Sequence, residues 1–104
     1  MNLEEQVNLV KENRFAISDI ENPSEELWKE VLKTNGYAIQ HHPDPTEELM
    51  LIAVEESGYA IKYIERPTEQ VQIKAVQNHP GAIYYIENPT ERVQLEASIQ
   101  KALC

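Results

Sequence analysis

Apolar residues return along this chain at fixed places in a 22-residue unit. With Pro23, Pro45, Pro67 and Pro89 taken as position 1, positions 5, 9 and 10 read Leu27/Val31/Leu32, Leu49/Ala53/Val54 and Val71/Ala75/Val76. Position 7 adds Leu51, Ile73 and Leu95, and polar residues gather at positions 4, 8, 11 and 12. At about 100° per residue the apolar set forms a broad arc. That breadth is expected of a helix buried against its own partner and against the next unit. Trp28 lies at the centre of the arc and is read as core.

A second apolar group follows a break at positions 13 and 14. Ala16, Ala38, Ala60 and Ala82 keep the 22-residue spacing, as do Ile17, Ile39, Ile61 and Ile83. Ala60, Ile61 and Ile64 fall at i, i+1 and i+4, one face of a helix. The segment predicts a helix of about one and a half to two turns, too short to stand alone. Tyr and Ile would also suit a strand, but the constant alanine and the lack of alternation argue for helix.

The unit is punctuated at both ends. Asn22, Asp44 and Asn88 precede prolines and read as N-caps, with proline at the first helical position. Glu25, Glu47 and Glu91 then fall at the third position, facing the positive helix end. Arg66 breaks this pattern, so the helix after it is expected to start more weakly. Asn35-Gly36 and Ser57-Gly58 supply residues that tolerate the left-handed conformation and so stop the first helix. His79-Pro80-Gly81 does the same with different chemistry.

A fixed period of this size points to a repeat array. The expected fold is all-α, an α-solenoid of about four and a half 22-residue units, each a long helix and a short one. The expected division is a single domain over 1–104, with repeats 1–22, 23–44, 45–66 and 67–88 and a capping helix in 89–104. In the first copy Leu3 and Val7 take the apolar side; in the last, Glu96, Gln100 and Lys101 read as a polar closing face.

Composition narrows the function classes. The formal net charge is −9, of which −8 lies in the first 66 residues. Such a chain repels nucleic acid and favours solubility, and it can attract a basic protein surface. No apolar run is long enough for a membrane span or a signal-peptide core. The one cysteine, Cys104, cannot form an internal disulfide, which fits a reducing, cytoplasmic setting.

Catalytic signatures are missing: no Gly-rich phosphate loop, no His-Glu-x-x-His, no Cys-x-x-Cys, no Gly-x-Ser-x-Gly. The chain reads as a non-enzyme without cofactor or metal. His41 and His42 are adjacent and point different ways on a helix, and His79 lies in another copy, whereas zinc needs three or four convergent ligands. His41-His42-Pro43 departs from the usual Tyr-Ile, and reads as a short helix cut by Pro43 with His42 in a core slot, or as a departure kept for a partner.

The aromatic residues are the surface candidates. Position 15 holds Phe15, Tyr37 and Tyr59; position 19 holds Asp19, His41, Tyr63 and Tyr85; Tyr84 stands at position 18. Positions 15 and 19 are i and i+4 on one helix side, with position 15 packing over the helix turn. Tyrosine suits interfaces because it joins large area to a hydrogen-bonding tip. His41, Tyr63, Tyr84 and Tyr85 are therefore the candidate partner-binding edge, and Glu55 and Glu56 on the outer face would steer a basic partner.

Three readings of function follow. The leading one is a module that binds another protein. The second is an acidic nucleic-acid mimic carried by Glu25/Glu26, Glu47/Glu48 and Glu55/Glu56. The third is a structural or self-associating module. Units such as Pro67-Thr68-Glu69-Gln70-Val71-Gln72, followed by Ala82-Ile83-Tyr84-Tyr85-Ile86-Glu87-Asn88-Pro89, resemble short helical-pair repeats, HEAT-like, of uncharacterised bacterial, phage and large-virus proteins. The resemblance covers about 13–104 well. It implies a helical fold and a binding role, and a small acidic array also looks like the inhibitors that phages make against host defence proteins.

Overall fold

A computed structural model describes residues 2–13 and 16–103. Phe15 and Cys104 lie outside them. Among the described residues five α-helices alternate with four 3-10 helices: α1 (Leu3–Glu12), η1 (Ala16–Asp19), α2 (Glu25–Thr34), η2 (Gly36–His41), α3 (Glu47–Glu56), η3 (Gly58–Tyr63), α4 (Glu69–Asn78), η4 (Pro80–Tyr85) and α5 (Glu91–Leu103). No strand occurs among the described residues. Each α-helix packs on the next α-helix and each 3-10 helix on the next 3-10 helix, and among the described residues no backbone contact joins elements two units apart. The packing is all-helical and compatible with a helical repeat, 45 Å along its long axis.

The helix starts lie one residue beyond the prolines. Ser24, Thr46, Thr68 and Thr90 accept the backbone N–H of Leu27, Leu49, Val71 and Val93 at 3.1, 3.3, 3.3 and 3.3 Å. The caps are thus the hydroxyl residues at position 2, and Asn22, Asp44 and Asn88 are not caps. Proline disfavours the helical region for the residue before it and stands outside the helix here, while an extended Ser or Thr places its hydroxyl over the first turn. Asn22 and Asn88 instead take left-handed backbone, φ 49° and 55°, which asparagine tolerates better than most residues. The Arg66 copy therefore has the same cap as its neighbours, and its start is not weakened at that point. The glutamates become first-turn residues, still facing the positive helix end.

The short segments are 3-10 helices of six residues in the second to fourth units. At three residues per turn these are two turns. Pro43 does not shorten its copy: η2 ends at His41, as η3 ends at Tyr63 and η4 at Tyr85.

The glycines are required by contact, not by backbone sign, since no glycine has positive φ. A Cβ on Gly36 would collide with the Ala53 carbonyl oxygen, and one on Gly58 would lie 2.5 Å from that of Ala75. Each 3-10 helix begins against the following α-helix at these points. The Gly36 N–H donates to Glu56 Oε1 at 2.6 Å and the Gly58 N–H to Asn78 Oδ1 at 3.0 Å. Asn78 Nδ2 also donates to the Glu55 carbonyl at 2.8 Å. In the fourth unit Pro80 stands at that position and has no N–H to give.

Positions 5 and 9 are buried in all four proline-led copies, and position 10 in three of them. Trp28 is core as expected, 5% exposed. Ala60, Ile61 and Ile64 are buried together. Position 7 is half-buried in Leu51 and Ile73 but 61% exposed in Leu95, because α5 has a helical neighbour on one side only. Its outward face carries Leu95, Ile99 and Leu103, all exposed, so the closing face is less polar than Glu96, Gln100 and Lys101 suggested.

Candidate functional site

The structure gives the placement of the candidate aromatic residues, and their pairing differs from the expected one. Tyr63, Tyr84 and Tyr85 are all exposed, Tyr84 at 83%. Tyr37 and Tyr59 are half-buried and lean on the core. The rings pair between units: Tyr37 meets Tyr63 edge-on at 6.0 Å and 85°, and Tyr59 meets Tyr85 at 6.0 Å and 88°. Pairing of positions 15 and 19 within one copy assumed an α-helix. In a 3-10 helix residues three apart eclipse and residues four apart do not, so each position-19 ring turns to the unit before it. Such edge-to-face geometry is favoured by the ring quadrupoles.

Lys62 lies among these rings, and sequence reasoning did not single it out. Its Nζ lies 5.1 Å from the Tyr63 centroid, 5.8 Å from that of Tyr85 and 5.9 Å from that of Tyr37. These are cation–π distances. Among the described residues Lys62 makes no ion pair; the ion pairs are Lys29–Glu48, Lys33–Glu30 and Arg92–Glu69. Position 18 reads Ser18, Gln40, Lys62 and Tyr84, so no repetition marks it.

Two open slots lie along the edge. The first, about 250 Å³, is lined by Asn35, Tyr37, Ala38, Gln40, His41, Lys62 and Tyr63. The second, about 450 Å³, is lined by Tyr37, Tyr59, Lys62, Gly81, Tyr84 and Tyr85. Tyr37 and Lys62 line both. His41 shares the first slot with Tyr63, whereas Tyr84 and Tyr85 line the second.

Glu55 and Glu56 lie elsewhere, beside a separate depression with Lys33 and Ile52. Glu56 holds the Gly36 amide, so its carboxylate is engaged within the fold. Other acids proposed for a mimic are also engaged: Glu48 pairs with Lys29 at 3.0 Å, and Glu25 accepts the Thr46 hydroxyl at 3.3 Å. The hydrogen bond and charge of Glu48 hold the Lys29 ammonium above its ordinary value.

His42 takes the place that Ile64 and Ile86 hold in later copies. Its ring lies on Trp28 at 4.7 Å, and its Nδ1 accepts the Asp44 N–H at 3.1 Å. Burial pushes its pKa below the usual imidazole value, against the opposing charges of Asp44 and Glu25. No group of three or more His, Cys, Asp or Glu that could hold a metal occurs among the described residues. No described helix is long and apolar enough to cross a membrane.

Comparison of the chain with protein-family models, with curated proteins and with solved structures finds no match.

Proposed function

We propose that this chain is a non-enzymatic, cytoplasmic α-solenoid that binds another protein through the edge formed by His41, Tyr63, Tyr84 and Tyr85, with Lys62 at its centre. The observation that carries this reading is the pair of matching ring contacts, Tyr37–Tyr63 and Tyr59–Tyr85, which hold large amphipathic side chains in fixed, solvent-facing positions. Preorganised aromatic anchors lose little freedom on binding and dominate interface energetics. Blocking a host defence protein or another partner is the most concrete form of such a role. The acidic outer face, Glu55 above all, would steer a basic region of the partner toward the edge.

The test is comparative capture. The wild-type chain and Tyr63→Ala/Tyr85→Ala are used as bait in host extract, and retained proteins are identified by mass spectrometry. A partner held by the wild type should bind the double variant at least about tenfold more weakly, with the helical far-UV spectrum unchanged. Glu55→Gln should chiefly slow association. Loss of binding in Glu55→Gln, with none in the tyrosine variant, would instead favour the acidic mimic.

A further inference from the structure

Helices α2, α3 and α4 each have an α-helix on both sides, and among the described residues α5 has one on one side only. In α3 and α4 position 7, Leu51 and Ile73, is half-buried against the core. In α5 the same position, Leu95, is exposed together with Ile99 and Leu103. Ser98 and Ala102 are exposed as well. Leu95, Ser98, Ile99 and Ala102 stand at i, i+3, i+4 and i+7, one stripe of an α-helix. The stripe holds no charge. Two of the charged side chains of α5 are drawn back onto α4: Arg92 pairs with Glu69 at 3.7 Å, and Glu96 Oε1 accepts from Gln77 Nε2 at 3.1 Å. Ser98 also borders a depression of about 410 Å³, lined by Pro80, Ile83, Tyr84 and Ala97 among others. It lies where Pro80 replaces the glycine whose N–H ties η2 and η3 to the following α-helix.

The occupant follows from packing, charge and symmetry. In the inner units another α-helix of this chain covers the equivalent position. The charge is uneven: α3 carries four acids and no base, and residues 1–66 hold −8 of the net −9. α5 carries two acids and two bases, and makes no backbone contact with α3. A second copy brings the same −9, so pairing through the acidic part sets like charges together. Pairing through α5 keeps the acidic parts of both copies away from the seam. The opposite end is less suited, since α1 has Glu4, Glu5 and Glu12 against Lys11 alone. A twofold interface uses one patch twice and must complement itself. An antiparallel α5 pair centred between Ser98 and Ile99 sets Leu95 opposite Ala102 of the second copy, and Ile99 opposite its Ser98. Large side chains then meet small ones.

We propose that α5 is a self-association surface, through which two copies of the chain pair antiparallel about a twofold axis along Leu95, Ser98, Ile99 and Ala102. The proposal does not depend on the aromatic edge.

The experiment is analytical ultracentrifugation of the full chain over a wide concentration range. A reversible species of twice the monomer mass is expected, with nothing larger. Ile99→Glu places two unpaired charges in the seam of each dimer and should raise the dissociation constant at least about tenfold. Leu95→Glu should act in the same direction. Both positions are exposed in the monomer, so the far-UV spectrum should not change. Added salt should strengthen the dimer, because it screens the repulsion between two acidic copies. Orientation is read with Ser98→Cys/Cys104→Ser and a short bismaleimide, which should link two copies, whereas Glu4→Cys/Cys104→Ser should not link. A chain that stays monomeric at about 1 mM, beyond any sub-millimolar affinity, would overturn the proposal. So would a dimer indifferent to Leu95→Glu and Ile99→Glu, or one that salt dissociates. Growth past two copies would mean head-to-tail stacking instead, and a dimer without the Ser98→Cys link would refute the antiparallel seam.

Discussion

The backbone N–H of Gly58 donates to Asn78 Oδ1, twenty residues further on, at 3.0 Å. The bond exists because the chain at Gly58 lies directly on α4. The Cβ that Gly58 lacks would stand 2.5 Å from the Ala75 carbonyl oxygen, a backbone atom that cannot step aside. At Gly81 the nearest atom to an added Cβ is the Tyr59 hydroxyl at 2.8 Å, the far end of a side chain that can swing. Gly58→Val should therefore be much more destabilising than Gly81→Val. Urea unfolding of the two variants checks this, and equal midpoints would contradict the contact argument.

The hydroxyl caps give a second test. Thr68→Ala removes the acceptor of the Val71 N–H and should cost about 1 kcal/mol. Arg66→Asn, which restores asparagine before proline, should gain far less, since that position makes no cap. A larger gain from Arg66→Asn than the loss from Thr68→Ala would return the cap to the residue before proline.

The period, the helical class and most of the core were legible because the same side chains recur every 22 residues. What was misplaced depends on finer geometry. Asn-Pro-Thr offers two cap residues, and only the backbone bias imposed by proline on its predecessor selects the threonine. A six-residue apolar segment does not distinguish α from 3-10 winding, and that distinction decides whether Tyr59 faces Tyr63 or Tyr85. Gly36 and Gly58 look like left-handed stops in sequence, yet their need arises from a carbonyl more than 15 residues away. Lys62 was invisible because it does not repeat; it matters only through three rings drawn from two other units and its own.

The 3-10 segments are as much core as the long helices. Ile61 is 1% exposed and sits with Ala60 and Ile64 in the central cluster. Ile61→Asp places a charge there without a partner, at a cost of several kcal/mol, roughly 3 or more. Loss of the helical circular dichroism signal at room temperature, or a thermal midpoint lowered by tens of degrees, is expected. A variant as stable as the parent would mean that η3 does not contribute to the core.

His42 makes stability depend on pH in a direction fixed by its surroundings. Its ring lies on Trp28, and its Nδ1 accepts from the Asp44 N–H, which requires the neutral form. Burial lowers its pKa in the folded chain even though Asp44 and Glu25 draw it upward. In the unfolded chain the imidazole titrates near 6.5 or so. Below that value the unfolded state binds the proton first, so the stability due to His42 is complete above it. It falls as pH drops through the lowered folded value. His42→Ile restores the residue that the third and fourth units carry and removes the titration. Unfolding free energies of both chains, measured by urea at neutral pH and at mildly acidic pH above the carboxylate range, should diverge on acidification, with the parent losing more. The difference isolates this group, because every other titrating side chain is common to the two proteins. A parent chain that gained stability relative to His42→Ile on acidification would show that the charges of Asp44 and Glu25 outweigh burial beside Trp28.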